Sequence, residues 1–275
     1  MNRVSGGADL HLHTIYSDGT DTPESLVEKA INVDLKAIAV TDHDTADGVE
    51  PTIRAAQGRI EVISGVEFSV EVGEGEMHIL GLFLRHDDPD LRAKLEEFGR
   101  RRKRRIYEIT DRLKRIGINI SPEDVFRRAG SGSPGRVHVA EELVKNNYVK
   151  NISAAFARLI GGSGPAYVNK VRPTPAETIE IIRRAGGVAV FAHPGLSKRD
   201  DLIPALAQAG LHGIEAISTA HSPSERERYI KLAEEYGLII SAGSDSHGAK
   251  RERELIGLAR LSEDRLEALR AASGR

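Results

Sequence analysis

Five short stretches of the chain carry side chains suited to holding a metal ion. The first is Asp9-Leu-His-Leu-His13. On a strand, residues two apart point the same way, so Asp9, His11 and His13 share one face and Leu10 and Leu12 take the other. Two imidazoles aimed in parallel from one rigid strand end begin a metal site. Asp18 follows in the next loop, just before Gly19. The other stretches are Thr41-Asp-His43, Gly65-Val-Glu67, Ala192-His-Pro194 and Ser244-Asp-Ser-His247. Taken alone, each has a plain structural reading: His43 caps a helix, or Asp245 is a turn residue. Together, His11, His13, His43, Glu67, His193, Asp245 and His247 recur at the C-terminal ends of apolar runs. In a barrel of parallel strands those ends converge on one face, where barrel active sites are built. The chain has no cysteine, so His, Asp and Glu are the available metal ligands.

The elements behind these motifs alternate. Thr22-Pro23 opens a helix to about Asn32. Lys36–Val40 is a short buried strand, a helix spans Gly48 to Gln57, and Ile60–Glu67 is a strand ending in a carboxylate. Phe68–Val72 and Met77–Leu84 read as a hairpin around Gly73-Glu74-Gly75, with His78 on its second arm. From about 86 to 172 the alternation stops. Leu91, Leu95, Phe98, Ile106, Ile109, Leu113 and Ile116 fall at helical spacing, and three more helices follow from Ser121, Val137 and Ile152. Alternation resumes with the capping box Thr174-Pro-Ala-Glu177, the strand Val188–Ala192, a strand from Gly213 to Ile217, another from Leu238 to Ala242, a last strand over Leu255–Leu261 and a closing helix. The expected domains are a barrel from 1–85 and 173–275 and an all-helical insertion, 86–172, covering the active site.

With 275 residues, 40% hydrophobic and 29% charged, the composition is that of an ordinary soluble globular protein. The first twenty residues lack an apolar signal core, and no stretch approaches a membrane span. A cytoplasmic location is therefore expected, with no membrane and no obligate protein partner.

These five stretches, in this order, resemble the motifs of the PHP (polymerase and histidinol phosphatase) superfamily, and the resemblance covers nearly the whole chain. It implies a distorted seven-stranded (β/α) barrel with three divalent metal ions. Carried over by residue, one ion takes His11, His13, Glu67 and Asp245, and a second takes Asp18, His43 and His247. The third takes the bridging Glu67 with His78 and His193. Asp18 stands where some members have His, which favours Mn²⁺, although such shells also accept Zn²⁺ or Fe²⁺.

The helical insertion, Gly135-Arg-Val-His138 and Ala220-His-Ser-Pro223 resemble one branch: phosphoesterases acting on nucleoside 3′,5′-bisphosphates and on the 5′ ends of short RNA. Members commonly read Gly-Arg-Pro-His, and Val137 replaces the proline here. The branch implies hydrolysis of a nucleotide phosphomonoester by metal-bound hydroxide. Arg136 suits a phosphate clamp, and His138 and His221 are candidates for phosphate contact or leaving-group protonation. Lys170 is a further phosphate-binding candidate. The plain readings are a solvated helix start for Arg136 and a packing residue for His138. His86 and His212 fall outside every motif and are assigned to the surface. The run Arg100–Arg105 is either a solvated helix face or a track for a polyanion. Competing functions are a small-metabolite phosphatase such as histidinol phosphatase, a non-catalytic PHP module, and an amidohydrolase on a similar barrel.

Overall fold

The computed structural model describes residues 6–72, 77–130, 134–169, 172–248 and 254–274. The expected hairpin tip at 73–75 and Lys170 lie outside these. Among the described residues, seven strands run in sequence order: β1 (Ala8–Leu12), β2 (Ala37–Val40), β3 (Glu61–Val70), β4 (Met77–Leu82), β5 (Val188–Phe191), β6 (Gly213–Ser218) and β7 (Ile239–Gly243). All neighbouring pairs are parallel except the two that involve β4, which runs the other way. The barrel is nearly closed. β1 meets the chain after β7 through the Leu12–Ser246 bridge, where the His13 N–H donates to Ser246 O at 3.0 Å.

Four helices start on Ser or Thr followed by Pro: α1 (Pro23–Asn32), α4 (Pro122–Ala129), α7 (Pro175–Arg184) and α10 (Pro223–Glu235). The hydroxyl accepts a free N–H of the first turn and the proline gives up a donor that has no partner there. The remaining α-helices among the described residues are α2 (Val49–Ala56), α3 (Pro89–Arg115), α5 (Arg136–Lys145), α6 (Ile152–Ala155), α8 (Pro194–Ser197), α9 (Ile203–Gln208) and α11 (Glu263–Ala272), and α6 runs on into a π-helical turn, Phe156–Ile160.

The chain divides into two compact units, Met1–Leu95 with Arg172–Arg275, and Glu96–Val171. Each has its own apolar core. In the first, Leu10, Ala39, Ile63, Leu80, Leu82, Val188, Val190 and Ala242 pack inside the strands. In the second, Ile106, Ile109, Leu113, Val125, Val139, Leu143 and Ile160 join the helices.

Three expectations change. Leu255–Leu261 is not a strand; only Leu261 pairs, in a bridge to Ala8. Gly257 takes φ +71°, and its N–H turns to Asp9 Oδ2 at 2.8 Å, so the extended path is broken mid-run. β3 does not end at Glu67: parallel pairing to β2 stops at Ser64, but antiparallel pairing to β4 carries the strand to Val70. His86 and His212 are half-buried, and His212 Nδ1 accepts the Ala189 N–H at 3.1 Å.

Candidate metal centre

The parallel strands deliver their C-terminal ends to one rim, and the reversed β4 brings His78, near its start, to the same place. Ser69 of β3 pairs with His78, and Glu67 pairs with Leu80. Glu67 is the hub. Its Oε2 lies 3.3 Å from both His11 Nε2 and His13 Nε2 and 2.9 Å from His43 Nδ1. Its Oε1 lies 2.9 Å from both His78 Nδ1 and His193 Nε2. Asp245 Oδ1 adds 3.3 Å to His13 Nε2 and 3.6 Å to His11 Nε2. Asp18 Oδ1 sits 3.3 Å from His247 Nε2 and 3.9 Å from His43 Nε2. All nine residues expected as ligands are thus brought together.

They form overlapping donor groups, each with its atoms within 4.8 Å of one another: His13, Asp18, His43 and His247; His11, His13 and Asp245; His11, Glu67 and His193; and His43, Glu67 and His78. Six buried atoms of this cluster have no hydrogen-bond partner among the described residues: His11 Nε2, His13 Nε2, His43 Nδ1, Glu67 Oε2, His78 Nδ1 and His193 Nδ1. Buried polar atoms are nearly always satisfied. Nitrogen and oxygen donors crowded in this way suit divalent cations of the Mn²⁺, Fe²⁺ or Zn²⁺ type.

The electrostatics show how strongly the groups interact. Burial favours a neutral Glu67, but His43, His78 and His11 outweigh it and hold the carboxyl well below its usual range. Burial also opposes charge on His13, yet hydrogen bonds with Asp245 and Glu67 prevail and raise it to about 10. At His78 burial wins over Glu67, aided by the neighbouring His43 and His193, and the imidazole falls to about 4.

Two of the candidate ligands sit on unusual backbone. His193 has φ +27° and Asp245 φ +53°, a region that costs non-glycine residues and recurs at functional sites.

Behind the donors lie carboxylates that the motif reading passed over. Asp42 accepts from Thr14 N at 2.8 Å, Thr14 Oγ1 at 2.6 Å and Ser17 Oγ at 2.6 Å, fixing the loop that carries Asp18. Asp9, expected on the same face as His11 and His13, belongs to none of the donor groups and accepts from Ser244 N and Gly257 N, both at 2.8 Å. Burial pushes its carboxyl up to about 6 against those hydrogen bonds. Glu215, fully buried on β6, lies 3.0 Å from His11 Nδ1 and accepts the His193 N–H at 2.7 Å. The only signal for Glu215 in the sequence is a lone charge inside an apolar run.

The expected substrate residues are placed differently. His221 is buried with both ring nitrogens engaged: Nδ1 donates to Ala216 O and Nε2 accepts the Gly195 N–H, each at 3.1 Å. It braces the turn after His193. His138 is buried at the start of α5, where its Nδ1 accepts the Gly135 N–H at 3.0 Å. Arg136 lies in the helical unit, its guanidinium 5.3 Å from the Phe156 ring centre and 5.7 Å from that of Tyr167, with Nη1 donating to Ile160 O. Within the basic run, Arg100, Arg101 and Arg104 pair with Glu96, Glu97 and Glu108 on their own helix. Arg105 is buried, with Nε and Nη2 donating to Val168 O.

Residues 9–162 match the PHP domain family. The chain belongs to the PHP domain family. It is similar to the 5′-3′ exoribonuclease Rnm of Escherichia coli, 33% identical over 247 residues, with 87% of this chain and 84% of the relative covered. It is also similar to a 3′,5′-nucleoside bisphosphate phosphatase of Chromobacterium violaceum, 32% identical, with 87% and 86% covered. A crystal structure from Bifidobacterium adolescentis, assigned as a metal-dependent phosphoesterase, superposes with a TM-score of 0.84 at 28% identity, covering 98% of this chain and 96% of that one. This PHP chain is accordingly a metal-dependent phosphoester hydrolase, and the nine-residue cluster is its candidate centre. No described helix is long and apolar enough to cross a membrane.

Proposed function

We propose that this PHP phosphoesterase removes the 3′-phosphate from nucleoside 3′,5′-bisphosphates, and that short RNA, trimmed from its 5′ end, is its second substrate. The observation that carries the reading is the buried cluster around Glu67, whose two oxygens reach five histidines. We assign it three divalent cations, Mn²⁺ first, with the ligand sets His11, His13, Glu67 and Asp245; Asp18, His43 and His247; and Glu67, His78 and His193. Bound there, the cations supply positive charge to phosphate oxygens and lower the pKa of a bound water. The protein residues hold that charge in place: Glu67 joins neighbouring donor groups, Asp42 fixes the Asp18 loop, and burial keeps competing water off His11 and His13. The choice of substrate follows the two named relatives. The branch motif assigns phosphate binding to Arg136; His221, with both ring nitrogens engaged, would have to give up a hydrogen bond to take part, and His138 has its Nδ1 engaged by Gly135.

The test is phosphate release from adenosine 3′,5′-bisphosphate in Mn²⁺, with histidinol phosphate and a 5′-phosphorylated RNA oligonucleotide in parallel and Asp245→Asn as the control for contaminating phosphatase. Release from the bisphosphate, abolished in D245N, is the expected result. Release from histidinol phosphate alone overturns the nucleotide reading. Arg136→Ala is expected to raise KM with metal content unchanged.

A further inference from the structure

Glu215 is a carboxylate with no exposed surface, set in the third position of β6 among Ile214, Ala216 and Ile217. A buried carboxylate is costly unless it is hydrogen-bonded, and this one is held by two donors, one on β1 and one just after β5. Oε2 accepts the backbone N–H of His193 at 2.7 Å, and Oε1 lies 3.0 Å from His11 Nδ1. It belongs to none of the candidate donor groups. Its slot exists because residue 243 is glycine: a Cβ there would lie 2.5 Å from Glu215 Oε1.

The two contacts act on two histidines that both face Glu67. His11 presents Nε2 to Glu67 and Asp245. An imidazole that binds a cation through Nε2 carries its proton on Nδ1, and the acceptor beside Nδ1 fixes that tautomer and the ring plane. His193 stands at φ +27° directly before Pro194, and a following proline further restricts the backbone. The Glu215 hydrogen bond clamps His193 there, its ring stacked 5.4 Å from that of His11.

We propose that Glu215 is a positioning residue that sets the proton of His11 and the backbone of His193, so that one carboxylate prepares a histidine in each of the two ligand sets that share Glu67. The proposal rests on the reading that this cluster binds metal.

Glu215→Gln separates this role from simple packing. Gln has the same shape but a single acceptor oxygen. The His193 N–H cannot be reversed, so the amide oxygen must serve it, and the amide NH₂ then faces His11 Nδ1. That nitrogen becomes the acceptor, and the His11 proton moves to Nε2, among the donors. The measurements are Mn²⁺ per chain by mass spectrometry after dialysis and Mn²⁺ affinity by titration, with circular dichroism and thermal unfolding alongside. The expected result is a folded E215Q protein with Mn²⁺ binding at the sites that share Glu67 weakened by about 10- to 100-fold or lost. A role in packing alone would lower the unfolding temperature and leave Mn²⁺ affinity at the wild-type value, which overturns the proposal. Wild-type protein that takes up no Mn²⁺ refutes instead the metal reading beneath it. Should E215Q fail to fold, the Zn²⁺-loaded wild type decides in long-range ¹H–¹⁵N spectra: His11 protonated on Nδ1 and bound through Nε2 supports the proposal, and any other state of His11 refutes it.

Discussion

Gly243→Ala puts the assembly of β1 against β7 to a direct test. A Cβ at residue 243 would lie 2.3 Å from His11 Cβ and 2.9 Å from His11 N, besides the Glu215 contact. Ordinary contact begins at 3.4 Å, so His11 would have to retreat by 3.4 − 2.3 = 1.1 Å. The strands have little freedom to spread, because Asp9 accepts the Ser244 N–H and His13 donates to Ser246 across the same seam. Overpacking of this kind costs about 1–3 kcal/mol, or roughly 2–12 °C in Tm at about 2–4 °C per kcal/mol. A catalytic group displaced by about 1 Å costs on the order of 100-fold in rate. Thermal unfolding with and without Mn²⁺, together with phosphate release, reads both effects, and the metal-free protein must also lose stability. Gly99→Ala is the control. Nothing lies within 4 Å of a Cβ there, inside α3, and alanine is favoured over glycine in a helix by about 1 kcal/mol. A G243A protein with wild-type Tm, Mn²⁺ content and turnover would refute the reasoning.

Other expectations follow from the same geometry. Asp42→Ala leaves Thr14 N, Thr14 Oγ1 and Ser17 Oγ without their acceptor; a loss of about 3 kcal/mol in urea unfolding and weaker Mn²⁺ binding are expected, and unchanged unfolding would count against the loop assignment. Chelation abolishes phosphate release and lowers Tm by roughly 5–11 °C if the metal was present at about 100 times its Kd, a linkage of about 2.7 kcal/mol; Mn²⁺ restores both, and a Tm indifferent to chelation would argue against the site. His13, raised to about 10 in the metal-free protein, contributes stability that is complete below its unfolded value near 6.5 and lost as pH rises through about 10. It is therefore protonated at pH 8 and must release that proton to bind metal. Calorimetric heats of Mn²⁺ binding at pH 8 should depend on the ionisation enthalpy of the buffer; equal heats in all buffers contradict this.

The candidate ligands are legible because His and carboxylate side chains break apolar runs at strand ends, where composition and position both stand out. Asp18 and His78 lie off that pattern, one in a loop and one near the start of a reversed strand, and came only through family resemblance. Glu215 escaped because its meaning depends on His11, 204 positions away; along the chain it is one odd residue in a strand. The bonds of His221 depend on Gly195 and Ala216, a relation that no spacing reveals. The basic run stayed open to two readings for a local reason. Glu96, Glu97 and Glu108 stand four residues from Arg100, Arg101 and Arg104, and helical neighbours of opposite sign pair. The expected strand at 255–261 failed on Gly257, whose left-handed backbone and bond to Asp9 turn the chain aside.

The reversed strand β4 has a consequence for how the protein is made. Because a short hairpin rather than a crossover helix brings His78 to the rim, six of the nine donors, His11, His13, Asp18, His43, Glu67 and His78, lie in the first 78 residues. His193 follows 193 − 78 = 115 residues later. At ribosomal speeds of about 5–20 residues per second, that gap lasts roughly 6–23 seconds. During that time a growing chain holds six of the nine candidate donors and lacks the other three. The candidate centre is complete only once His193, Asp245 and His247 have all been made.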